Sequence, residues 1–101
     1  MSEAVLFVIY RGASDDRFDR EYYSAHHLPL VRGAFAPHGL VSLAAFYPAQ
    51  DNPGTIALCE CRFADASSME RAFGSPEASA VMADIPRFTD LQPSRLRAIS
   101  L

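Results

Sequence analysis

The sequence has little of what usually assigns a function at sight. Its five glycines fall at positions 12, 33, 39, 54 and 74, too dispersed for the glycine-rich turn that cradles a dinucleotide. No apolar run approaches the roughly 20 residues that a spanning helix needs. The start, Met1-Ser2-Glu3, lacks the basic region of a secretory leader, and the apolar run after it, residues 4–10, is too short for one. Basic residues are scattered and the net charge is −3, so there is no footprint for nucleic acid or an anionic membrane. A cytoplasmic protein with neither partner is expected. Only two cysteines occur, Cys59 and Cys61, one residue apart in a strand-like run and hence on one face. A bridge between such neighbours is strained, and no matching His or Cys completes a zinc site, so core packing is their expected role. Nothing else clusters at metal-ligand spacing. No metal or organic cofactor is expected, a single axial histidine holding haem being the one alternative.

What is present is apolar and compactly punctuated. The 101 residues suit a single domain, 1–101, with one core. Half of them are hydrophobic and 21% charged, a richer apolar share than a small monomer easily hides, which points to a buried subunit interface.

Residues 4–10 read as a central strand buried on both faces. Ser14 or Asp15 is placed to cap the next element, with Asp16 and Asp19 in its first turn and Phe18, Tyr22 and Ala25 to His26 at helical spacing. Pro29 predicts a kink or break at Leu28, then a short helix over 29–36 that Gly39 terminates. Residues 40–47 and 55–63 form a hairpin around a polar loop at 48–54. In the second of these strands Ile56, Leu58, Glu60 and Arg62 share one face, and Ala57, Cys59, Cys61 and Phe63 the other. Asp65 opens a helix carrying Met69, Ala72 and Phe73 inward, Ser75-Pro76 restarts it, and Pro86 stops it near Asp84 or Ile85. A last strand is expected over 96–101.

Strand, helix, strand, strand, helix, strand is the pattern of an α+β ferredoxin-like sandwich, βαββαβ, with a four-stranded antiparallel sheet. Two helices cover only one face of such a sheet. The other face must bury itself elsewhere, and homodimerisation through it is the economical solution.

Asp19-Arg20-Glu21-Tyr22-Tyr23, then His27-Leu28-Pro29-Leu30-Val31, then residues 82–90 with Pro93 together resemble the EthD family, named for ethyl tert-butyl ether degradation. The resemblance spans nearly the whole chain. It implies a dimeric α/β barrel, each subunit keeping a cleft for a small hydrophobic molecule between the sheet and the first helix. The wider superfamily includes isomerases, polyketide cyclases, decarboxylases, cofactor-free monooxygenases and haem-degrading enzymes. The oxidoreductase label often attached to EthD proteins finds no dinucleotide fingerprint here.

On this reading His27, at the family's His-x-Pro position, is the expected general acid/base, since an imidazole titrates near neutrality. Adjacent helical residues point about 100° apart, so His26 competes with it for the cleft. Tyr22 and Tyr23 are candidates to stabilise developing oxygen charge. Asp84 sits in the last turn of a helix, where a carboxylate opposes the helix dipole, and is a candidate to orient the imidazole. Phe7, Phe35, Tyr47 and Phe88 are the expected apolar lining, with His26. The leading expectation is a small homodimeric enzyme acting on a hydrophobic carbonyl or phenolic compound by isomerisation, cyclisation, dehydration or decarboxylation. A ligand-carrying accessory protein, and an oxidoreductase, monooxygenase or haem-binding protein, are the alternatives.

Overall fold

The apolar run near the start of the chain becomes an inner strand of the sheet. In a computed structural model that describes residues 2–50 and 54–101, β1 (Ala4–Gly12) is flanked by β3 (Gly54–Phe63) and β4 (Ser94–Ala98). β2 (Leu40–Phe46) closes the other edge, so the strand order is β2-β3-β1-β4 with every pair antiparallel, the ferredoxin-like arrangement. The turn expected at 48–54 falls at 51–53 outside the described residues. The last strand comes earlier than expected, since its pairs with β1 run from Ser94 opposite Ile9 to Ala98 opposite Val5.

The first helical element starts later than the expected caps at Ser14 and Asp15. Those residues lie in a turn in which Asp16 accepts from the Ala13 amide at 2.7 Å. Phe18 then runs extended and bridges to Thr89, so the helix cannot begin before Asp19, whose side chain caps it by accepting from the Tyr22 amide at 3.0 Å. From there α1 (Arg20–Tyr22), a π-turn (Tyr23–His27) and α2 (Leu28–Phe35) follow without a break. The break expected at Leu28 is absent, since Leu28 itself is helical at φ −63° and ψ −42°. Pro29 supplies no N–H, and the rod absorbs it by widening just upstream, where the Leu28 amide reaches back to the Tyr23 carbonyl.

Widening by one residue sets which side chains face inward. Tyr23, His27, Val31 and Phe35 are buried at four-residue intervals, whereas Ala25 and His26, expected on the inner stripe, are exposed. A 3-10 turn, Ala36–His38, follows, and Gly39 ends it at φ 96°, a conformation that favours glycine; a methyl group there would also meet the Ser68 side chain at 2.7 Å.

The second helical layer is α3 (Ala66–Phe73) and α4 (Pro76–Asp84). Asp65 caps α3 by accepting from the Ser68 amide at 2.7 Å, as its sequence position suggests. α4 begins with Pro76 at its first position and passes into a 3-10 turn, Ile85–Arg87. Both layers pack on one face of the sheet. There Leu6, Val31, Phe35, Cys61, Phe63 and Met69 form one buried cluster, and Tyr10, Tyr23, Ala57 and Phe88 another. The expected faces of β3 are those observed: Ala57, Cys59, Cys61 and Phe63 are buried beneath the helices. The opposite face carries Phe7, whose cross-strand neighbours are Glu60 and Leu96.

Candidate active site

Two segments far apart in sequence are clasped together, and the site lies beneath the clasp. The Asp19 amide donates to the Phe88 carbonyl at 2.8 Å, and the Thr89 hydroxyl donates to the Arg17 carbonyl at 2.7 Å. The Arg17 guanidinium donates to Asp90 at 2.9 Å and to the Pro86 carbonyl at 2.6 Å. Asp90 is thus half of an ion pair. The clasp fixes the start of the helical rod against the end of α4, which brings His27 to Asp84.

Nδ1 of His27 lies 2.9 Å from Oδ2 of Asp84, and the Tyr22 hydroxyl donates to Oδ1 of the same carboxylate at 2.7 Å. Arg87 adds a longer contact of 3.9 Å. A carboxylate at a helix C-terminus costs about 0.3–1 kcal/mol against the dipole. The charge-assisted hydrogen bonds from His27 and Tyr22 offset it. The placement that looked odd in the sequence is therefore held by its partners.

Burial tends to raise the Asp84 pKa, yet the hydrogen bonds from Tyr22 and His27, with the charge of Arg87, hold it below the ordinary value. For His27, burial dominates and lowers the pKa, while Asp84 pulls the other way. The imidazole is therefore neutral at neutral pH. Facing an ionised Asp84, its Nδ1 carries the proton and donates, which leaves the Nε2 lone pair as the base. The ring is fixed from its sides by Tyr23, nearly parallel with centroids 5.7 Å apart, and by Phe88 at 4.6 Å.

His27 lines a cavity of about 40 Å³ between the helices and the sheet. Tyr10 and Tyr23 line it too, with Phe35 and Cys59, and Met82 and Arg95 stand at exposed positions on its rim. Tyr10 and Tyr23 are 1% and 2% exposed, and the Tyr23 hydroxyl meets the Cys59 thiol. Burial pushes both phenols well above their ordinary pKa, so both remain protonated donors. A base and two donors thus border one apolar space. Such a set can take a proton from a bound molecule and hydrogen-bond the oxygen that gains charge.

The expected site residues divide accordingly. His27, Asp84, Tyr22 and Tyr23 come together, and Phe35 lines the cavity. Phe88 backs the His27 ring and is not part of the lining. His26 is exposed and lies against Tyr22, the two rings tilted by 38° with centroids 5.0 Å apart, because its neighbour takes the inward direction. Phe7 lies on the far face of the sheet, since strand alternation puts it opposite to Leu6 and Val8. Tyr47 is occupied at the start of the rod, where its hydroxyl donates to the Arg20 carbonyl at 3.0 Å beneath the Arg20 guanidinium. Tyr10, Cys59 and Arg95 were not among the expected lining. Only the register reveals them, since Val8 stands opposite both Cys59 and Arg95, and Tyr10 follows on the same face.

The sequence profile of the EthD domain matches residues 11–92, a span that holds both clasped segments, His27 and Asp84. The chain belongs to the EthD family. No curated protein matches its sequence. Among solved structures, this EthD protein is similar to an EthD-like protein from Ralstonia eutropha JMP134, at 20% identity over 97% of this chain and 91% of the other, with a TM-score of 0.84. It is also similar to an EthD family protein from Bacillus halodurans C-125, at 21% identity over 99% and 100%, TM-score 0.75. A cofactor-independent oxygenase from Streptomyces nogalater, in a mutant form, shares the fold at 14% identity over 100% and 97%, TM-score 0.67. Among the described residues of this EthD protein, no group of three or more His, Cys, Asp or Glu is placed to hold a metal. No helix among them is long and apolar enough to cross a membrane.

Proposed function

We propose that the protein is a small enzyme acting on a hydrophobic carbonyl or phenolic molecule, with His27 as general base and then acid. Asp84 orients and polarises the imidazole, Tyr23 and Tyr10 hydrogen-bond the substrate oxygen, and Tyr22 fixes Asp84. The observation that carries this reading is the buried Asp84–His27 pair beside an apolar cavity that the Tyr10 and Tyr23 phenols also border. Proton transfer between carbon and oxygen centres of one substrate is an isomerisation, and the same steps serve cyclisation, dehydration or decarboxylation. No organic cofactor is required for these. We further propose that the protein works as a homodimer closed through the uncovered sheet face.

The test is NMR of the imidazole rings, assigned with His26→Gln and His27→Gln, during addition of 2-hydroxyacetophenone and related aryl ketones. Ligands that bind are expected to shift the His27 ring and leave His26 unmoved, and His27→Gln should keep binding but lose turnover. A carrier would keep its whole function in His27→Gln.

The same base supports a second reading. A phenol deprotonated by His27 becomes an electron-rich phenolate, able to reduce dioxygen directly, and the fold is shared with a protein described as a cofactor-independent oxygenase. Product formation under air and under argon separates the two.

A further inference from the structure

We propose that the substrate carries a carboxylate beside its apolar body, and that Arg95 receives it at the cavity rim. This rests on reading the cavity as the reaction site. Arg95 lies on β4 opposite Val8, which puts it on the helix-covered face with its side chain at the cavity. Among the described residues lining that space, it alone carries a permanent positive charge.

Its contacts are weak and easily exchanged. Nη2 lies 3.4 Å from the Met82 sulfur, and the guanidinium carbon lies 4.5 Å above the centre of the Phe73 ring. No carboxylate among the described residues comes within 4.0 Å of it. Arg17, Arg62 and Arg87, by contrast, each meet an acidic side chain. A guanidinium offers five donors in a planar fork that matches a carboxylate, and a thioether occupies one of them. The charge is felt inside the cavity as well, since Arg95 opposes the rise that burial imposes on the Tyr10 phenol.

Size points the same way. A cavity that holds benzene measures about 150 Å³, so a space of about 40 Å³ must widen to admit an aromatic substrate. Met82 and Arg95, joined across the rim, are the contact that must part. A carboxylate that draws Arg95 away from Met82 and Phe73 opens the rim as it binds, and leaves the carbonyl or phenol end of the molecule to the tyrosines and His27.

The experiment compares aryl keto acids of increasing chain length with their methyl esters, reading Kd by calorimetry and the His27 ring by NMR. The best acid is expected to bind about tenfold or more tighter than its ester. Arg95→Met should bring the pair within about twofold, Arg95→Lys should restore part of the preference, and His27→Gln should keep it. Esters that bind as well as acids and move the His27 ring overturn the anchor alone. A preference that survives in Arg95→Met and Arg95→Gln also overturns it. Acids that bind without moving the His27 ring, or a wild-type protein that binds neither series, overturn the reading of the cavity and the anchor with it.

Discussion

His27 and Asp84 stand 57 residues apart in the chain and 2.9 Å apart in space, Nδ1 to Oδ2. A carboxylate so placed fixes both the direction of the ring and the nitrogen that carries its proton. Asp84→Asn keeps the shape and the Tyr22 contact but removes the charge that favours Nδ1–H. The expected result in ring ¹⁵N spectra is a shift of the neutral imidazole toward the other tautomer. Turnover of any substrate that uses His27 should fall by about 10²–10⁴, with ligand binding changed little.

The depressed pKa of His27 makes stability depend on pH in a defined window. The unfolded histidine takes up its proton near 6.5, while the folded one resists until lower pH. The stabilisation is therefore complete above 6.5 and is lost as pH falls toward the folded value. The depressed carboxylates, Asp84, Asp65, Asp90 and Glu77, act only below their ordinary values of 3.8 to 4.5. Urea unfolding between pH 7.5 and 5 should thus show a falling midpoint in the wild type. In His27→Gln that slope should flatten.

Phe88 is fully buried, touches Tyr10, Tyr23 and His27, and lends its carbonyl to the Asp19 amide. Phe88→Ala is expected to cost about 3–5 kcal/mol, the range for an aromatic removed from a core. Phe88→Leu should cost less and still release the His27 ring, seen as a changed ring-current shift without loss of fold. An unchanged His27 spectrum in both variants would show that Phe88 only fills space.

Much of the fold was legible because the signals were local. Asp65 caps, Pro76 begins and Gly39 ends an element through the chemistry of their own side chains, or the lack of one. Alternation in β3 marked its buried face for a similar reason. The inward stripe of the first helix was not legible. Phe18, Tyr22 and Ala25 recur at helical spacing as well as Tyr23, His27, Val31 and Phe35 do. What chooses between them is the bridge from Phe18 to Thr89 and the π-turn before Pro29, and the first of these joins positions about 70 apart. Asp84 could be singled out by its misfit with the helix dipole, whereas Phe7, Tyr47 and Arg95 depended on strand register and on the clasp.

The uncovered face of the sheet supplies the last prediction. Phe46 and Leu96 are 53% and 54% exposed there, and Phe7, Leu58 and Leu96 follow one another across β1, β3 and β4 by pairing or on the diagonal. The only charged residues of β3 on that face, Glu60 and Arg62, neutralise each other at 3.0 Å. A surface of this kind favours a second copy of itself over water, because apolar area is gained on both partners while few unpaired charges are desolvated. Sedimentation of the wild type should therefore give twice the chain mass of 11.1 kDa. Leu96→Arg and Phe46→Arg should shift it toward the single chain with the circular dichroism unchanged, since neither side chain contributes to the core beneath the helices. A wild type that stays monomeric at 100 μM (roughly the strength of a weak dimer, about 5–6 kcal/mol) would reject the shared face and leave the site of His27 and Asp84, which lies on the other side of the sheet, untouched.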